Sequence, residues 1–123
     1  MANENTVSVS LSFSKSGKTI ELSKKGKQID VSGTDYIRRT QVVGFAAEEV
    51  LDIGDIATPG YFIGWNNDTT NYVSIRPSTG AANCVELKPG GEPVCFRFAR
   101  GATTPYVIAA TAACEIEYLL IED

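Results

Sequence analysis

The chain has 123 residues, 43% of them hydrophobic and 21% charged, with 11 Gly, 5 Pro, 3 Cys and no His; that size fits one domain over residues 1–123, with a core that needs no metal or disulfide staple. Fifteen acidic against 11 basic residues leave a net charge of -4, a field that repels phosphate backbones and argues against nucleic acid as a partner. The lack of His removes the commonest neutral-pH acid/base group and zinc ligand, so the expectation is no enzyme, no metal and no cofactor.

Residues 1–6, MANENT, are polar and acidic where a secretory signal needs a basic start and an apolar run. No stretch approaches the roughly 20 apolar residues that span a bilayer. A soluble protein made in a cytoplasm, without a membrane partner, is therefore expected, and the sequon Asn67-Asp68-Thr69 has no route to a glycosyltransferase.

In TVSVSLSFS, Val7, Val9, Leu11 and Phe13 alternate with Thr or Ser, which predicts a strand over Thr6–Ser14 with one face in the core. KTIELSK and KQIDVSG read as two short strands around a turn at Lys24-Lys25-Gly26-Lys27. Five lysines, from Lys15 to Lys27, crowd this segment, whereas residues 115–123 are acidic, so charge is unevenly distributed. YIRRTQVV suits a strand, and Ala46–Leu51 a short strand or a turn of helix. Thr58-Pro59-Gly60 signals a turn. YFIGWNN and NYVSIRP flank Asp68-Thr69-Thr70 as a predicted hairpin, and CVELK and EPVCFRF flank Pro89-Gly90-Gly91 as another. In that second hairpin Cys84 would face Cys95, close enough for a strained disulfide, although buried free thiols are the favoured reading of an odd cysteine count. YVIAATA and CEIEYLLIED close the chain as strands. At least eight short strands with turns every 8–12 residues and no helical period predict an all-β antiparallel β-sandwich of jelly-roll or related Greek-key topology.

Few residues carry chemistry. Glu48, Glu49, Asp52 and Asp55 cluster without any calcium-loop spacing and read as a solvated turn. Glu115 and Glu117 share a strand face rather than opposing each other across a cleft, and Asp35, Arg38 and Arg39 read as ordinary surface pairs. Tyr61, Trp65 and Arg97 are the candidate binding residues, because interfaces enrich Trp, Tyr and Arg. Lys24, Lys25 and Lys27 join them as a basic contact segment.

From Val50 onward the order of pieces resembles a loose family of small proteins encoded among the structural genes of tailed bacteriophages. The matching motifs are an L-x-[IL]-G turn at Leu51–Gly54, the strand Gly60-Tyr61, and N-x-D-x-T-N-Y-V at Asn66–Val73. They continue with an L-K-P-G-E turn at Leu87–Glu92, which here carries an extra Gly, and E-Y-x-I-E-D near Glu117–Asp123. The resemblance implies a virion structural protein, foremost a capsid decoration or cement protein on the major capsid protein of a phage head. It implies a homo-oligomer, a trimer among its forms, made in the host cytoplasm. A tail or neck component and a carbohydrate-binding module stay open as alternatives.

Overall fold

The computed structural model describes residues 4–123. Ten strands and no helix occur among them: β1 (Asn5–Lys15), β2 (Lys18–Ile29), β3 (Tyr36–Val43), β4 (Glu49–Val50), β5 (Pro59–Asn66), β6 (Val73–Arg76), β7 (Val85–Leu87), β8 (Val94–Arg97), β9 (Tyr106–Ala109) and β10 (Cys114–Glu122). The sequence reading treats 1–123 as one domain, whereas the chain divides into two compact units, Met1–Ser32 and Gly33–Asp123. We call them the arm and the body.

The arm is one antiparallel hairpin. Its turn lies at Ser16-Gly17, with φ of 55° and 76°, the pair of positive values a two-residue hairpin loop requires. The turn expected at Lys24–Lys27 is instead a bulge inside the long strand β2. Gly26, at φ 64°, takes the strained position there, and its N–H donates to Ser8 Oγ at 2.9 Å. The alternation of β1 is as read, but its apolar face is not a core face. Leu11 is 77% and Leu22 82% exposed, and Val9, Phe13 and Ile20 are exposed with them.

The body holds two four-stranded antiparallel sheets, ordered β3-β10-β5-β8 and β4-β9-β6-β7. Alternate residues of both enter one core: Phe62, Ile116, Tyr118 and Leu120 from the first, Val73, Ile75, Leu87 and Val107 from the second. This is a β-sandwich. Phe62 sits at the centre of an aromatic group, 5.0 Å from Phe96, 5.5 Å from Tyr118 and 6.0 Å from Phe98 between ring centroids. Gly64, paired with Tyr118, leaves the room: a Cβ there would lie 2.9 Å from the Phe62 ring and from the Glu117 carbonyl oxygen.

Both predicted hairpins of the body are corrected. β5 and β6 lie in different sheets, and so do β7 and β8, so the loops at Asp68–Thr70 and Pro89–Gly91 carry the chain across the sandwich. The reason is a buried polar anchor, Asn66. Its Nδ2 donates to the Asn71 carbonyl at 2.7 Å and the Leu87 carbonyl at 3.1 Å, and its Oδ1 accepts the Asp68 N–H at 2.9 Å. The Gly90 and Gly91 N–H groups donate to the Asp68 and Asn66 carbonyls. The two loops therefore bond to each other instead of closing hairpins. Cys84, just before β7, and Cys95, within β8, consequently belong to different sheets; both are free and exposed, and Cys114 is a buried thiol. Pro59 and Gly60 begin β5 rather than forming a turn, since a first strand position needs no ladder donor. Ala46–Leu51 resolves to the two-residue strand β4.

Candidate functional site

Two surfaces stand out, one in each unit. On the body, the outward residues of the β3-β10-β5-β8 sheet form cross-strand rows. Leu119 pairs with Arg38 on one side and Ile63 on the other, and Ile63 pairs with Cys95. Ile121 pairs with Tyr36, and Tyr61 with Arg97. Glu117 pairs with Trp65, while Glu115 pairs with Val42. Much of this face is apolar and open: Tyr36 is 72%, Val42 63% and Ile63 40% exposed. A hollow of about 240 Å³ lies on it, lined by Arg38, Ile63, Trp65, Glu117, Tyr118 and Leu119.

Three of the six sequence-predicted binding residues meet on this face. Tyr61 and Trp65 point outward from β5, and Arg97 lies directly opposite Tyr61 with its guanidinium carbon 5.6 Å from the ring centroid. Arg97 is also ion-paired with Asp123. The guanidinium thus occupies one face of the Tyr61 ring. Lys24, Lys25 and Lys27 lie on the arm, and they do not share a face. Lys24 and Lys27 pair with Val9 and Val7 on the apolar side, whereas Lys25 lies in the bulge opposite Ser8.

Several of the other charged groups are engaged in framework contacts. Arg38 pairs with Glu117 at 3.0 Å and Arg39 with Asp52, so the Asp35, Arg38 and Arg39 group does not converge. The acidic cluster is likewise divided: Glu48 binds Arg76 and the Gly80 N–H, Glu49 binds Gln41 and the Gly44 N–H, and Asp52 accepts the Gly54 N–H. Glu115 accepts from Asn67 Nδ2 at 3.4 Å.

Sequence reasoning missed the two carboxylates that organise the loops. Asp68 accepts the Thr70 and Asn71 N–H groups, and the Asn71 bond, with that of Thr70 next, holds its carboxyl below the ordinary 3.8. Glu122 accepts the N–H groups of Ala57, Thr34 and Asp35, which hold its carboxyl below the ordinary 4.5. The Asn66-x-Asp68 spacing was a legible side-chain-to-backbone turn signal. Glu122 left no local signal, because its three donors come from residues distant in sequence. Partial desolvation pushes the Cys95 thiol up although the residue as a whole is exposed, and burial pushes up Cys114 with help from Asp68.

The lowered carboxyls make a pH prediction. Each group binds its proton more weakly in the folded body than in the unfolded chain, so the ionised form favours folding. That contribution is complete above about pH 4.5 for Glu122 and is lost as pH falls through its lowered value. The urea midpoint is therefore expected to fall on acidification below pH 4.5, and Glu122→Gln is expected to flatten that dependence. An unchanged slope in the variant would remove Glu122 from the account.

No protein-family model matches the sequence, and no curated protein and no solved structure matches it either.

Proposed function

We propose that the protein is a bacteriophage virion structural protein, a capsid decoration or cement subunit that binds the major capsid protein of a phage head. The observation that carries the reading is the pair of open apolar surfaces, one on the arm and one on the outer sheet of the body. Surfaces of this kind suit a protein that covers other protein surfaces in many copies. The motif resemblance from Val50 onward supports the virion setting. The strand order β3-β10-β5-β8 against β4-β9-β6-β7 supports a jelly-roll topology, since only the β6–β7 connection stays within one sheet and the other six cross between sheets. In this reading the protein is made in the host cytoplasm and resides in the virion as a homo-oligomer, without nucleic acid or membrane as a partner.

The test is co-sedimentation of purified protein with empty heads and, separately, with isolated tails. Saturable binding to heads alone is the expected result. Binding confined to tails would move the protein to the tail or neck, and binding to neither would overturn the virion reading.

A further inference from the structure

Two stretches of chain without strand structure meet at one carboxylate. Residues 30–35 connect β2 to β3, and residues 51–58 lead into β5. Glu122, the last residue of β10, binds both: its Oε1 accepts the Thr34 N–H at 3.0 Å and the Asp35 N–H at 3.3 Å, and its Oε2 accepts the Ala57 N–H at 3.0 Å. A carboxylate suits this place because both of its oxygens accept and neither donates. Gly33 completes the fit. A Cβ there would lie 2.7 Å from the Glu122 Cβ and overlap its Cγ, so glycine is what lets the side chain lie along the segment.

Gly33 is the first residue of the body, and the arm ends at Ser32. The carboxylate therefore holds the three residues through which the chain enters the body. The neighbouring elements have backbone bonds of their own. The Glu122 N–H donates to the Asp35 carbonyl and the Asp123 N–H to the Thr58 carbonyl, each at 2.9 Å, and β3 pairs with β10 from Tyr36 to Val43. Loss of the carboxylate bonds thus opens Gly33 and Thr34 locally and leaves the sheet paired. The charged and titratable groups around Glu122 are Asp35 on the segment itself, Tyr36 at the start of β3, Asp55 ahead of Ala57, and Asp123 beside it, which is ion-paired with Arg97 of β8. The carboxyl lies below the ordinary 4.5 among them, held there by the Ala57 N–H first and the Thr34 N–H next, so the closed clamp is the ionised one.

We propose that Glu122 is a latch on the attachment of the arm: as a carboxylate it binds residues 33–35 into the body, and on protonation it releases Gly33 and Thr34 into the connection that carries the arm. Protonation turns one of its two oxygens into an O–H donor facing an N–H, so the neutral group cannot serve both segments at once. The latch is closed above about pH 4.5 and opens as the pH falls through the lowered value of the folded chain. Once open, the connection between Ile29 and Tyr36 gains about two residues of free chain, roughly 7 Å of reach. The arm then samples a wider range of positions while each unit keeps its own strand pairing. This device does not rest on the virion reading, and it holds for the free protein in solution.

The experiment follows the backbone amides of the full-length chain by NMR. It compares the native protein, titrated downward from pH 7, with Gly33→Ala and Glu122→Ala at pH 7. Gly33→Ala leaves the carboxylate ionised but fills the space in which it lies, so it opens the latch without a change of charge. Protection of the Thr34 and Asp35 N–H groups from exchange with water, corrected for the intrinsic rate, is expected to fall at least about 10-fold in both variants and in the acidified native chain. The Ala109 and Ala110 N–H groups, which donate to the Gly44 and Tyr72 carbonyls, are expected to keep theirs. Relaxation of the arm amides should show a more mobile unit in the same samples, with the β1–β2 pairing intact. Protection of Thr34 and Asp35 that survives Gly33→Ala overturns the latch. So does protection lost there only together with that of Ala109 and Ala110, which would make Glu122 a group that opens with the whole body. Arm relaxation that is the same in the native chain and in Gly33→Ala at pH 7 also overturns it. Should Glu122→Ala fail to fold, Gly33→Ala and the acidified native chain decide the matter between them.

Discussion

Phe62→Ala is expected to lower the stability of the body by about 3–5 kcal/mol, the cost of removing a large side chain from a packed core and leaving a cavity. Phe62 is fully buried and touches three other rings, Phe96, Phe98 and Tyr118. Its neighbours cannot collapse freely into the space. Tyr118 is held by its hydroxyl, which donates to the Asp52 carbonyl and contacts Gln41 Oε1, and Gly64 offers no side chain to fill the gap. For a body of this size the melting temperature should fall by about 12–25 °C. The check is a thermal melt followed by near-ultraviolet circular dichroism, with Phe62→Leu as the milder comparison. A shift below about 5 °C would mean that the aromatic group tolerates a void and is not the centre of the core.

The second large effect is expected at Asn66. Asn66→Ala removes two donated bonds and one accepted bond from a side chain with no solvent exposure, taking the amide partner from the Leu87 carbonyl and the Asp68 N–H and leaving the Asn71 carbonyl only the Cys114 thiol. Buried polar groups left without partners cost about 1–3 kcal/mol each, so a loss of about 3 kcal/mol is expected after partial rehydration of the loops. Asn66→Asp keeps the acceptor for Asp68 N–H but turns a donor into an acceptor facing two carbonyls, and it should be at least as damaging at neutral pH. Urea unfolding of both variants is the measurement. If Asn66→Asp were as stable as the native chain, the Nδ2 bonds would not be what joins the two crossing loops.

Asn66 also shows where sequence reading stopped. Pro89-Gly90-Gly91 and Asp68-Thr69-Thr70 were legible as turns, because Gly and Asp carry local backbone preferences wherever they lie. Whether the strands on either side pair with each other is a different matter. It depends on a buried amide bonded to a carbonyl 21 residues further along the chain, and no window of a dozen residues contains both. The same limit applies to the proposed contact residues. Tyr61, Trp65 and Arg97 share a face in the fold, and alternation within β5 placed the first two together. The partners that make that face apolar, Leu119 and Ile121, were hidden in the unbroken run Tyr118–Ile121, which has no alternation from which to read a side.

The amino-acid sequence by itself determined the strand content, the absence of a helical period, the polarity pattern of the first strand and the concentration of lysines in residues 15–27. These follow from side-chain chemistry at spacings of one to four residues, which a strand translates directly into faces. Only the tertiary structure decided that the alternating face of β1 stays exposed, that Gly26 forms a bulge rather than a turn, and that β5 and β8 join β10 in one sheet. Burial is a property of what lies opposite a side chain, and the arm, a single two-stranded sheet, has no second layer of its own opposite Leu11 and Leu22. An apolar face specifies that it will be covered without specifying by what, and that choice belongs to the arrangement of whole sheets and of neighbouring molecules.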